Sequence, residues 1–452
     1  MVNCGMETTL FPGMDADGDF QGSPVTETIP AEPPRLRQPD RAQVLLEPVC
    51  LDERLPAEHP ARLIWEVVRH LDLTAFYAPI AARGSAPGRP ATDPQLLVAL
   101  WLYATVDGVG NGRKLDRLCR EHDAYKWLCG GVTLNYHTLN DFRVAHEQAL
   151  DELMTRVVAA LTAQGVVRVE RITQDGRRVR ASAGSSSFHR APTLQRHLAQ
   201  TRAYIEELKQ QADDEPAEVA RQRAARERAA REKQARLEQA LALLPELQAA
   251  QENPRNSKKQ REKPVRVSST DPEARKMKMG DGGIRPAYNV QLAADTESRA
   301  IVGVDVVNTP ADQNQSEPLR QQVEQRTGQK VQEHLVDQGY VDLESIARAY
   351  QAGVAVYAPL PTGKDGQPVT TSRWDTPGTT AWRQRMQTEA AREIYKQRAA
   401  VSETINAETK CRFGVRAFAV RGLRKVRCVA LWMALAYNLL HFAQELLRCE
   451  VV

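Results

Sequence analysis

The chain has little that could crosslink it, anchor it or build it around cysteine-bound metal. Seven cysteines occur in 452 residues, at positions 4, 50, 119, 129, 411, 428 and 449, and no two of them have C-x-x-C spacing. The odd count and the spacing exclude a cysteine zinc centre or a disulfide framework as the organising device, and free thiols point to a reducing compartment. No N-terminal stretch has the charged-then-apolar order of a secretory signal, and no run of about 18 apolar residues is present to span a bilayer. The most apolar stretch, Val429 to Phe442, is shorter than that and reads as a buried helix. Net charge is also small, only +4. The expectation is a cytoplasmic protein.

What is present is ordinary globular composition, 42% hydrophobic and 26% charged, on a chain long enough for two to four domains. Charge is unevenly placed. Lys and Arg gather at 168–180, 255–278 and 410–427, which suits a polyanionic partner. For any single cluster a solvated helix face is the better reading. Residues 1–40 are rich in Pro, Gly, Asp and Thr without apolar periodicity and read as a disordered leader. Residues 41–160 read as an all-helical N-terminal domain. Leu63, Ile64, Val67, Val68 and Leu71 recur at helical spacing, and Asp93-Pro94 opens a second helix with a cap and a first-position proline. Short helices joined by tight turns fit a helix-turn-helix-like DNA-binding domain, and they fit a plain bundle as well.

The period changes at Val166. Val166, Val167, Val169 and Ile172 form a β-branched run that ends in a turn at Gln174, Asp175 and Gly176. A charged helical insertion spans 192–252, read as a solvated antiparallel hairpin turning near Asp213–Pro216, with a DNA- or partner-contacting arm as the alternative. A basic linker covers 253–270. Strands then follow at 288–295 and 300–308 as an antiparallel pair, a helix at 314–327, a strand at 331–337, a helix at 342–351 and a strand at 354–358. A loop over 359–380, a helix over 388–409 and a final helix over 426–447 complete the chain. Without the insertion the order is β-β-β-α-β-α-β-α. That predicts an α/β fold: a ribonuclease H-like mixed sheet with flanking helices, built from 166–190 and 265–447, preceded by the helical domain and interrupted by the insertion.

Breaking and rejoining phosphodiesters requires a nucleophile to approach an anionic phosphorus. Two divalent cations about 4 Å apart, held by carboxylates from separate elements, make that possible. Asp175 falls at the end of the first strand run, Asp337 at the end of the fourth, and Glu403 within the helix after the fifth. Asp295 and Asp305, also in strands, are the fallback ligands. Any one of these acids could equally be a turn former or cap. On the helix, Tyr395 and Arg398 share a face, as do Glu403 and Lys410. That face could hold metal and phosphate together.

These residues, in order, resemble the IS1182-type transposases of the IS4-like group of DDE insertion-sequence enzymes. The resemblance is carried by His59-Pro60, Gly88 to Pro90, Arg113 to Leu115, Trp127 to Gly130, Thr138 to Arg143, Asp175-Gly176, Thr270 to Arg275, Tyr288 to Gln291, Asp337 to Tyr340, Tyr395, Arg398, Glu403 and Arg421-Gly422. It covers about residues 45–445. It implies metal-dependent DNA cleavage and strand transfer at terminal inverted repeats, with two Mg²⁺ or Mn²⁺ ions as cofactor. The implied metal ligands and catalytic residues are Asp175, Asp337 and Glu403. Tyr395, Arg398, Lys410 and Arg421 are the implied DNA contacts. The implied partners are double-stranded transposon-end and target DNA and a second copy of the chain, in a nucleoid-associated setting. The Arg398-to-Glu403 gap is one residue longer than the best-known IS4-type spacing.

Overall fold

A computed structural model describes residues 48, 50–83, 90–210, 217–253 and 257–449. The expected leader over 1–40 and the expected turn at Asp213–Pro216 lie outside the described residues.

Among the described residues, helices α1 (Pro60–Arg69), α2 (Thr74–Tyr77), α3 (Pro94–Val106), α4 (Gly112–Glu121), α5 (Asp123–Cys129), α6 (Tyr136–Ala145) and α7 (Glu147–Ala163) precede the first strand. Local chemistry sets their ends. Asp93 caps α3 by accepting from Gln95 N, with Pro94 at its first position. Asn111 caps α4 by accepting from the Arg113 and Lys114 amides. Every residue of α3 from Leu96 to Val106 is buried, so the surrounding helices wrap it on all sides.

Strand β1 (Arg171–Arg180) follows, then the short β2 (Phe188–His189) and the insertion. The insertion comprises α8 (Ala191–Gln210), α9 (Ala217–Ala242), α10 (Leu244–Glu252) and the single turn α11 (Lys258–Arg261). Leu194 packs with Leu237 and Ala240, and Arg202 pairs with Glu238, so α8 and α9 run antiparallel as expected. Strand β3 (Val267–Ser268) closes the insertion by pairing with β2. The remaining elements are β4 (Arg275–Lys278), β5 (Ile284–Asp295), β6 (Ile301–Val307), α12 (Ser316–Thr327), β7 (Glu333–Leu335), α13 (Leu343–Gln351), β8 (Ala355–Tyr357), α14 (Pro377–Met386), α15 (Glu389–Cys411), α16 (Leu423–His441) and α17 (Ala443–Leu447).

The sheet is mixed. Its order is β6–β5–β1–β7–β8, and β4 adds a short antiparallel edge beside the start of β5. β5 runs antiparallel to both β1 and β6, whereas β1, β7 and β8 are parallel.

Three expectations need correction. The first strand is not the Val166–Ile172 run. The amides of Val166 and Val167 instead close the end of α7 on Leu161 O, and Val169 takes a φ of 46°, which an extended strand does not allow. The strand starts at Arg171, so Asp175 lies in its middle, opposite Leu292 of β5, and Asp175-Gly176 is no turn. The loop expected over 359–380 ends early, because Thr376 caps α14 in a capping box with Thr379. The final helix is two, broken at Phe442, whose φ of −124° leaves the helical range.

Helix α16 is buried on nearly all faces from Val426 to Leu439 and packs against α3, α7 and β6. One core therefore runs from the N-terminal helices into the sheet. Asn438, fully buried on α16, fastens the helix to β6. Its Oδ1 accepts from Ile301 N at 2.9 Å and its Nδ2 donates to Ile301 O at 2.8 Å. The side chain thus serves as a one-residue strand. Asn438→Leu would strand both backbone groups without partners and is expected to cost about 2–4 kcal/mol. Urea unfolding checks this; an unchanged midpoint would remove the anchoring role.

Candidate active site

Register brings the first two acids together. In the parallel pair of β1 and β7, Thr173 stands opposite Leu335. Two residues further along each chain come Asp175 and Asp337. Asp337 has left the ladder and caps a 3-10 turn, Gln338–Tyr340, by accepting from Gln338 N. Its carboxylate is 55% exposed, against 25% for Asp175, so the pair has one buried member and one open one.

Helix α15 crosses β1 and turns Arg398, Ser402 and Asn406, each four residues from the next, toward the strand. The Ser402 hydroxyl meets the Thr173 hydroxyl at 2.9 Å. Arg398 Nη2 donates to Asp175 Oδ1 at 3.1 Å and lies 3.6 Å from Asp337 Oδ2. Asn406 Nδ2 donates to Asp175 Oδ2 at 2.9 Å, while Arg177 Nη1 donates to Asn406 O at 3.3 Å. A single guanidinium therefore serves two carboxylates from neighbouring strands. Burial pushes the Asp175 carboxyl up. The Arg398 charge pulls it back down, and Asp337 and, more weakly, Asp312 add to the rise. Burial also lowers Arg177 to about 10 and raises the Tyr395 hydroxyl, against which the Arg398 charge works.

The other expected residues are placed differently. Glu403 is exposed on α15, and among the described residues no hydrogen bond or ion pair joins its carboxylate, Lys410 or Arg421 to Asp175 or Asp337. Lys410 is exposed near the end of α15, and Arg421 donates to Ser182 O at 3.2 Å. Tyr395 is half-buried against the apolar cluster around Leu335 and Trp382. The fallback acids are engaged elsewhere. Asp295 holds a turn by accepting from Ser298 N and Oγ at 2.8 and 2.7 Å, and Asp305 pairs with Arg427 at 2.9 Å. Among the described residues no three His, Cys, Asp or Glu side chains already converge as a metal site.

Two functional-site neighbours escaped the sequence reading. Asn406 is one; its signal was the four-residue step from Arg398 through Ser402. Asp312 is the other. It accepts from Asn289 Nδ2 at 2.6 Å and Gln291 Nε2 at 2.9 Å, and lies 3.5 Å from Arg178. Its signal was two amides at alternate positions of an otherwise apolar strand. The Asp312 carboxylate fills the space beside Gly176. A Cβ there would meet Asp312 Oδ1 at 2.4 Å and Gln291 Nε2 at 2.6 Å. Glycine after Asp175 is thus a packing requirement.

The donor set suits a hard divalent cation. Besides the two carboxylates, the Asn406 Oδ1 atom is buried without a partner among the described residues, and oxygen donors of this kind are what Mg²⁺ takes.

Comparison with known families bears on what these acids serve. Residues 262–439 match the family model described as a transposase DDE domain, and residues 49–145 match the one described as a transposase domain (DUF772). The chain is an enzyme of the DDE transposase class, whose members use divalent metal ions. It is a DNA transposase, and no helix among the described residues is long and apolar enough to cross a membrane. No curated protein and no solved structure matches the chain.

Gly176→Ala is expected to lower stability by about 1–3 kcal/mol, because the added methyl forces buried, hydrogen-bonded side chains apart. Denaturant melts of the purified variant check it. A melt superimposable on that of the parent would show that the Asp312 network yields freely.

Proposed function

We propose that this chain cuts and joins DNA at the terminal inverted repeats of an IS1182-type insertion sequence, in a metal-dependent strand-transfer reaction with Asp175, Asp337 and Glu403 as its acidic triad. The observation that carries the reading is Arg398 between Asp175 and Asp337, two carboxylates from adjacent parallel strands facing one positive charge. The strand order β6–β5–β1–β7–β8, antiparallel only at β5, supports a ribonuclease H-like sheet in which the first and fourth strands carry these acids. The domain plan that goes with it is a helical DNA-holding part over 41–160, a catalytic part over 166–190 and 265–447, and the insertion over 192–252.

Two Mg²⁺ or Mn²⁺ ions would be held by Asp175 and Asp337, with Glu403 on α15 completing the set. When bound, such ions supply an activated hydroxyl nucleophile and stabilise the leaving oxygen. The chain's own residues do the rest. Asp175 is fixed by the sheet and by Asn406, so it keeps its place as substrate enters. Asp337, more than half exposed, is the acid open to the scissile phosphate. Arg398 keeps the two carboxylates from repelling each other and, with Tyr395, offers contacts to phosphate. Lys410 and Arg421, both exposed, are proposed phosphate contacts. Double-stranded transposon ends and target DNA are the substrates, and a homodimer in the DNA complex, in the cytoplasm at the nucleoid, is the proposed working form.

The test is Mg²⁺-dependent cleavage and joining of duplexes that carry the element's ends. Asp337→Asn is expected to reduce both to background while duplex binding persists. Activity equal to the parent's would sink the assignment. Glu403→Gln is expected to behave alike, and full activity in that variant alone would remove Glu403 from the triad.

A further inference from the structure

The helical insertion has no part in the proposed chemistry, yet its helix α9 forms one wall of an open cleft of about 610 Å³. The other walls come from Asn140 of α6 and from the segment that starts α16, including Arg421 and Lys425. Arg236 and Gln239 project from the α9 side. With Asp271 and Pro272, four parts of the chain that are far apart in sequence thus line one space.

Its charge is unbalanced in a particular way. Arg236 and Arg421 stand close enough to oppose each other: burial first, then the Arg421 charge, holds Arg236 below its usual value. Arg236 Nε is buried without a partner among the described residues, and its one ion-pair contact, Glu232, is 3.6 Å away. Neither Arg421 nor Lys425 has a carboxylate partner among the described residues, and Arg421 is steadied only through Ser182 O. Of the acids that line the cleft, Glu232 alone faces one of these cations, from 3.6 Å, and the others do not answer them. Asp271 is fully buried and accepts from Tyr288 Oη at 2.7 Å and Gly422 N at 3.2 Å. Glu273 accepts from Leu423 N, and Asp141 is exposed. The start of α16 is therefore already capped by carboxylates, and the free positive charge belongs to side chains.

We propose that this cleft binds the sugar–phosphate backbone of duplex DNA, with Arg236 and Arg421 clamping phosphate from opposite walls and Lys425 adding charge, so that the insertion is a DNA-holding arm. Guanidinium forks match phosphate oxygens two at a time, and Asn140 and Gln239 are the kind of amides that bind phosphate or sugar without reading sequence. Two like charges that destabilise each other in the free protein gain by sharing an anion. The proposal rests on the transposase reading only in taking DNA as the polyanion.

The test is binding of a fluorescein-labelled duplex of arbitrary sequence across a salt series, with the full chain. Each phosphate contact adds about 0.9 to the slope of log affinity against log salt. Arg236→Ala and Arg421→Ala are each expected to weaken binding and to make that slope shallower by about one contact, while Arg236→Lys keeps it. Circular dichroism melts that match the parent's assign the loss to the contact. An unchanged slope in Arg236→Ala overturns the arm, whatever Asp337→Asn does to cleavage. Binding of poly-glutamate that Arg236→Ala abolishes, with duplex binding intact, overturns it in favour of an acidic protein partner. Parent protein that binds no duplex overturns both this proposal and the functional reading beneath it.

Discussion

The guanidinium of Arg398 is the interaction on which the rest of the site depends. Asp175 sits in mid-strand, paired with Leu292 of β5, where burial makes its charge costly. Asp337 brings a second negative charge alongside. Two carboxylates so placed would take up a proton or push apart unless a cation stood between them, and Arg398 is that cation. Removing one partner of such a buried arrangement costs far more than the pair contributes net. This constraint reaches back into the fold. For Arg398 to arrive, α15 must lie across β1 at one rotation, and the Thr173–Ser402 and Asp175–Asn406 contacts hold it there. The helix cannot turn without breaking all three.

The scaffold that keeps β1 in place is built from two helices buried on nearly every face. Helix α3 is the centre of the N-terminal helices, and α16 links that centre to the sheet. Two tryptophans make the joint specific. Trp101 Nε1 donates to Leu139 O, and Trp432 Nε1 donates to Arg143 O, so indoles from α3 and α16 both hydrogen-bond to α6. Arg143 itself lies over the Trp101 ring at 4.6 Å. Buried polar groups with partners cost little and exclude other packings. The Thr270–Arg275 stretch has a related structural role, since Asp271 and Glu273 hold the first amides of α16. Residues quoted as family marks are thus, in part, the clasps that join insertion, sheet and final helix.

Much of this was readable from sequence, for physical reasons. The paired strands β5 and β6 are β-branched and apolar runs, and helices α12, α13, α15 and α16 carry apolar positions at helical spacing or caps, so their order emerged. The first strand did not, because its residues do not alternate. Arg171 to Arg180 is polar and half charged, and its stability comes from nine paired positions on β5 and from an ion pair and hydrogen bonds with α15, neither of which a local window contains. The neighbouring valines looked more like a strand but are spent on closing α7. Helix α14 was hidden for a similar reason: its apolar content is Trp382 and Met386, and its cap is a Thr–Thr pair. At the site, Asp337 was legible because an acid after a short apolar strand is a local pattern. Asp312 and Asn406 were not, since each becomes a site neighbour only through contacts with residues more than 20 positions away.

The three expected acids differ in what carries them, and that difference has an electrostatic logic. Asp175 is fixed in a strand and Asp337 just past the end of one, where backbone pairing determines position. Glu403 is on a helix, one residue from Ser402 and so about 100° around the axis from the face that touches β1. It therefore faces solvent. Had it pointed inward, three carboxylates would share one arginine, and the protein would have to bear that repulsion before any substrate or metal arrived. With Glu403 in water, the resting site has two carboxylates against one guanidinium, with Asn406 as a neutral donor. Under the proposed triad, the third negative charge enters only when added positive charge makes it favourable. A ligand on a helix flank can make that approach by a side-chain rotation, while the strand-borne acids stay where the sheet holds them.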